Sequence, residues 1–105
     1  MFYSGGQNYS ITTVAAATYD LVITDTLLNV TYTGTAAVTS LTLITSQAVA
    51  GRTIVIKDAG GNASANNITI DTEGGETIDG QATYVSSTDY ESITLYSDGT
   101  NWFII

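Results

Sequence analysis

The chain has no cysteine, no proline and no histidine, and its only basic residues are Arg52 and Lys57. Each absence removes a class of reading. Without histidine, Ser-His-Asp and Cys-His nucleophile systems are excluded, and so are zinc sites of the His/Cys type. Without cysteine there is no disulfide framework, so a small domain needs another staple, and association with further copies can supply one. Two isolated cations cannot neutralise a run of phosphates. The formal charge of −8 argues against nucleic acid and anionic membrane surfaces alike. Helices stabilised by salt-bridged faces cannot be built from such a composition either. The missing proline and the single lysine leave strand edges without their usual guards against pairing with another chain. No apolar run approaches the ~18 residues that a membrane-spanning helix requires, and Met1 to Gly6 lacks the basic-then-apolar order of a signal peptide.

What is present points to strands. The hydrophobic share of 44% is too high for a disordered chain. The charged share of 11% is about half the ~25% usual in soluble domains. The exterior must therefore be covered by Thr, Ser, Asn and Gly, a surface that packs readily against another copy. Thr, Val, Ile and Tyr suit a pleated, half-buried sheet. Residues 54–57, 67–70, 92–96 and 101–105 read as strands separated by Gly/Asn/Asp turns, and 9–12, 19–24, 28–32 and 38–45 read as strands upstream. Ala15, Ala16 and Ala17 are flanked by β-branched residues and form a turn or strand edge rather than a helix. The expected fold is all-β, a single small antiparallel sandwich or prism-like domain over 9–105, behind a flexible arm at 1–8. Apolar-x-apolar cores recur at 54–56, 68–70, 77–79, 93–95 and 103–105, but at uneven intervals, which argues against a solenoid. The chain should close on an antiparallel hairpin across 97–101, with Gly99 supplying positive φ and Trp102 and Ile104 facing the side of Ile93 and Leu95.

Few residues invite a chemical role. Asp71, Glu73, Glu76 and Asp79 could in principle supply paired carboxylates, but across a Gly-Gly turn they read better as a solvated acidic loop. Asp58 and Asn62 offer oxygen ligands that suit calcium, yet lack the spacing of an EF-hand and more often bond their own turn backbone. Sequons at Asn8, Asn29, Asn62 and Asn67 are explained by the abundance of Ser and Thr. No metal, cofactor or catalytic residue is assigned. Tyr96 and Trp102 flank one tight turn and form a candidate platform for stacking on a glycan, with cross-strand packing as the plainer reading. Trp102, Phe103, Ile104 and Ile105 form an apolar end that must be buried, in the chain's own core or in an oligomer interface. Phe2, Tyr3 and Gln7 are candidates for an arm that orders on a larger protein lattice.

A set of motifs carries a family resemblance. These are Ala50-Gly51-Arg52-Thr53-Ile54-Val55-Ile56-Lys57-Asp58, Gly61-Asn62-Ala63, Asn66-Asn67-Ile68-Thr69-Ile70, Glu76-Thr77-Ile78-Asp79-Gly80, and Leu95-Tyr96-Ser97-Asp98-Gly99-Thr100-Asn101-Trp102. From Ala50 to Ile105, and more loosely back to Tyr19, the chain resembles a β-rich module of tailed-bacteriophage virion proteins. Related sequences commonly place a proline where Ile44-Thr45 stands here. The resemblance implies a usually trimeric structural role in the virion and no enzymatic activity. A short chain opening at Met1 suits a capsid decoration (cement) protein bound to the major capsid protein on the head surface. A tail-fibre or receptor-binding module is the alternative, and a sugar-binding module acting alone a third.

Overall fold

A computed structural model describes residues 10–33 and 39–105. Among these residues, nine short strands make two sheets. A five-stranded sheet is ordered β1 (Ile11–Val14), β3 (Leu27–Val30), β5 (Thr53–Asp58), β8 (Ser92–Ser97), β9 (Trp102–Ile104). A four-stranded sheet is ordered β2 (Thr18–Asp20), β4 (Thr39–Leu43), β6 (Ile68–Thr72), β7 (Tyr84–Ser86). Among the described residues, helix is confined to one 3-10 turn at Thr45–Gln47. The proposed arm residues Phe2, Tyr3 and Gln7 lie outside the described residues.

The route of the chain sets the topology. From β1 to β6 it alternates between the sheets, so β1, β3 and β5 pair in parallel, and so do β2, β4 and β6. Parallel neighbours need a crossover, and here the crossover is a strand of the opposite sheet. The first six strands therefore wind as a short coil. The final strands reverse: β7 pairs antiparallel with β6, β8 with β5, and β9 with β8. This corrects the expectation of a purely antiparallel fold, for the sheets are mixed. The winding lies in β1–β6, largely upstream of the recurring cores, which beyond Ile70 sit in a bridge or in antiparallel strands and do not wind. Ile11 neighbours Leu27, which in turn neighbours Val55, so the second turn is much longer than the first and the sequence interval is uneven. Unequal corner loops hide a regular winding.

Alternation along each strand places the core. Leu28, Val30, Ile54, Ile56, Ile93, Leu95 and Trp102 point inward from one sheet, and Leu41, Leu43, Ile68 and Ile70 from the other, in one buried cluster. Fully burying a side chain of this kind contributes ~1.5–3 kcal/mol. The Ala run is a bend between β1 and β2, as its flanking β-branched residues suggest. Two strands differ from the expectation. The stretch at 19–24 ends as a strand at Asp20 because a turn follows at Ile23–Thr24, and β7 has no counterpart in the sequence reading. The echo at 77–79 is a bridge and a turn instead. There Asp79 (φ +50) and Gly80 (φ +81) form a tight reversal closed by reciprocal Ile78–Gln81 backbone bonds.

The closing hairpin forms as expected. Leu95 pairs with Ile104, Tyr96 with Phe103 and Ser97 with Trp102, which sends Trp102 and Ile104 inward. Gly99 has φ +100, and Asp98 Oδ1 accepts from the Thr100 and Asn101 amides. A Cβ at Gly99 would meet nothing closer than 3.6 Å, so any penalty there is backbone strain alone. Gly99→Val should cost about 1–3 kcal/mol of stability, read as a lower Tm in a circular-dichroism melt. An unchanged Tm would show that the turn does not need the left-handed conformation.

Candidate functional site

The sequence candidates separate by strand parity. Trp102 is completely buried in the chain's own core, and Ile104 packs inward against that core. Tyr96 projects outward and stacks on Phe103 with ring centroids 5.5 Å apart at 28°. A Tyr96–Trp102 platform therefore does not form: neighbouring parity puts the two side chains on opposite sides of the sheet. The outward aromatic pair is Tyr96–Phe103, both half-buried, beside Ile105, which is 72% exposed. Of the four residues assigned to an oligomer interface, only Phe103 and Ile105 are presented on the surface.

The free edge of β9 is largely occupied. The Trp102 amide donates to Thr77 O, the Asp79 amide to Trp102 O, and the Ile104 amide to Asp79 Oδ1. The chain thus guards this edge with its own residues 77–79, and β9 can offer a partner its outer face but little of its edge.

The carboxylates act mainly as ties between segments. Buried Asp25 accepts from Thr12 Oγ1 (2.7 Å), Tyr19 OH (2.7 Å) and the Val22 amide (2.9 Å). It thereby joins β1, β2 and the turn leading to β3. Gln47, also buried, adds Nε2 bonds to Val22 O and Asp25 O. Burial pushes the Asp25 pKa upward, but the three donors outweigh it and hold the carboxyl below its usual value. Burial, followed by the bond to Asp25 and its charge, pushes Tyr19 up to about 12. Glu91 takes bonds from Tyr84 OH and Ser86 Oγ, both 2.7 Å, which lower its pKa; the bond to Glu91 is the main cause that raises Tyr84.

Asp58 Oδ2 accepts from the amides of Asn62, Ala63 and Tyr90, at 2.9–3.0 Å. It bonds its own turn, which leaves that oxygen committed to amides rather than to a cation. Tyr90 sits at φ +62 with its ring against Gly61, where a Cβ would lie 2.3 Å from it. The Lys57 ammonium donates to Tyr90 O and lies 5.9 Å from the ring centroid. The acidic loop behaves likewise. Glu73 caps the Thr45 amide, Glu76 the Gly74 amide and Asp71 the Thr72 amide, so these carboxylates serve backbone turns. Among the described residues, no three acidic side chains are grouped as a metal site would require. Asp58 bonds its own turn as the sequence suggests, whereas its bond from the Tyr90 amide and the ties at Asp25 and Glu91 were not legible, because those partners lie in other strands and loops.

No protein-family model matches the chain, and a search of curated proteins finds no match.

Two predictions follow from the ties. Asp25→Asn turns one acceptor oxygen into a donor facing hydroxyls and an amide, and should cost roughly 3 kcal/mol, measured by urea unfolding. A loss below a few tenths would mean that the knot is not structural. Stability should also have a plateau bounded on both sides. Asp25 and Glu91 have depressed folded pKa values, so their contribution is complete above the ordinary carboxylate value. It is lost as pH falls below about 4. Tyr19 and Tyr84 have raised values, so their contribution is complete below about pH 10 and is lost as pH rises beyond it. With no histidine, Tm should stay flat from about pH 5 to 9. A titration step near pH 6–7 would contradict this assignment.

Proposed function

We propose that this chain is a structural subunit of a tailed-bacteriophage virion. On this reading it works as a homotrimer that decorates the head surface, contacts the major capsid protein and stabilises the shell, and performs no chemistry of its own. The observation that carries the reading is the use of the carboxylates. Those at the corners of the coil bind amides and hydroxyls that hold neighbouring segments together, so the chain's ionisable chemistry serves rigidity. A rigid body with charge-poor faces suits an element that is added in many copies to a lattice. The motifs shared in wording with phage virion modules supply the biological setting and the number three.

A tail-fibre module contacting host glycans is the alternative, and the outward Tyr96–Phe103 stack favours it. Aromatic faces of this kind offer apolar, partly exposed area to a sugar ring.

The deciding experiment adds purified protein to phage heads that lack decoration and follows co-sedimentation and the temperature of shell disruption. Saturable binding with a raised disruption temperature is expected. Binding to tails or host-cell glycans, without binding to heads, would move the assignment to the fibre. Binding to none of these would overturn the virion reading.

A further inference from the structure

We propose that the outward face of the five-stranded sheet is the surface through which copies of this chain associate. The inference rests on the reading of the chain as a self-associating subunit and locates the contact.

Two apolar groups lie on this face. Ile11, Leu27 and Val55 stand side by side across β1, β3 and β5 in one register row. Tyr96 and Phe103 stack across β8 and β9. Ile11 is 60% exposed, although it heads a row of half-buried neighbours. The other outward strand positions carry hydroxyls, one amide and Lys57, and no carboxylate. The outer face of the four-stranded sheet is different. Asp20, Thr42 and Asp71 form a row there, and Val85 is its one outward aliphatic residue.

Charge selects the occupant. A cationic partner would be drawn to the acidic loops and the Asp20–Asp71 row. A face whose outward strand positions carry no carboxylate is one through which like-charged bodies can meet, and a second copy of this chain is the partner that needs such a face. Each copy carries −8, so a contact through any acidic surface would bring carboxylates within a Debye length, about 8 Å at physiological salt. Contact through this sheet keeps them at the rim. It also covers the exposed Ile11 and what remains accessible of the half-buried Leu27, Val55, Tyr96 and Phe103.

Sedimentation equilibrium of the full chain at micromolar concentration tests the surface with three variants. Val55→Asp sits at the middle of the row. Ile11→Asp sits at its exposed end, where a carboxylate cannot disturb the core. Thr69→Asp, on the outer face of the other sheet, is the control. The wild type should have the mass of about three chains, held more tightly as salt is raised. Both row variants should weaken association by roughly a hundredfold, with unchanged circular dichroism, while Thr69→Asp stays associated. An oligomer that survives both row substitutions would overturn this surface and leave the self-associating subunit intact. Dissociation by Thr69→Asp as well would also overturn it. A wild type monomeric at every salt concentration would remove both the surface and the self-association on which it rests.

Discussion

The carboxylate of Asp25 closes the first turn of the coil, and the later turns are built on that one. It gathers a hydroxyl from β1, a phenol from β2 and an amide from the turn before β3. In a parallel winding each inner rung is held by a neighbour on either side, whereas the first rung has one neighbour only. A buried ionised carboxylate is unfavourable alone, and three short donors offset that cost through charge-assisted bonds. The same device recurs where the chain leaves the five-stranded sheet again. Asp58, the last residue of β5, fixes the 62–63 turn and the Tyr90 amide just ahead of β8. Glu91 then holds two side chains of β7. Without disulfides or proline, the corners are fixed by acids.

This arrangement explains which parts of the fold were legible in the sequence. Period-2 alternation at Leu41/Leu43, Ile54/Ile56, Ile68/Ile70 and Ile93/Leu95 marks strands and their inward faces, and the structure buries all eight. The final hairpin was readable because its turn chemistry is local: Asp98 and Gly99 act on residues within the same loop. Strand direction was not readable. A period of two is identical in parallel and antiparallel neighbours, and only the path between strands distinguishes them. That path runs through corners of unequal length whose ties, Asp25 to Thr12 and Asp58 to Tyr90, join residues far apart in sequence. Strand β7 escaped notice because three residues in a polar stretch give too short a pattern.

The candidate site failed for a related reason. Proximity of Tyr96 and Trp102 to one turn suggested a shared surface, yet the parity that sends Trp102 inward with Ile104 already requires Tyr96 to point outward. The register decides the matter, since Ser97 opposite Trp102 puts both on the core side. The outward aromatic area at this hairpin therefore belongs to Tyr96 with Phe103, and the large indole strengthens the core instead.

Of the edge-to-edge and face-to-face contacts that the composition leaves open, the self-association proposed above uses a face. Lacking proline and nearly lacking lysine, the chain looked open to edge-to-edge pairing, but β9 is covered by residues 77–79 and its Ile104 amide is capped by Asp79. At this end of the five-stranded sheet a partner is therefore offered the outer face rather than backbone groups of the edge. The two outer faces differ in charge: Asp20 and Asp71 share one row of the four-stranded sheet, whereas the outward strand positions of the five-stranded sheet carry no acid. For a chain with so few cations, that separation allows like-charged bodies to meet across a sheet without bringing their carboxylates together.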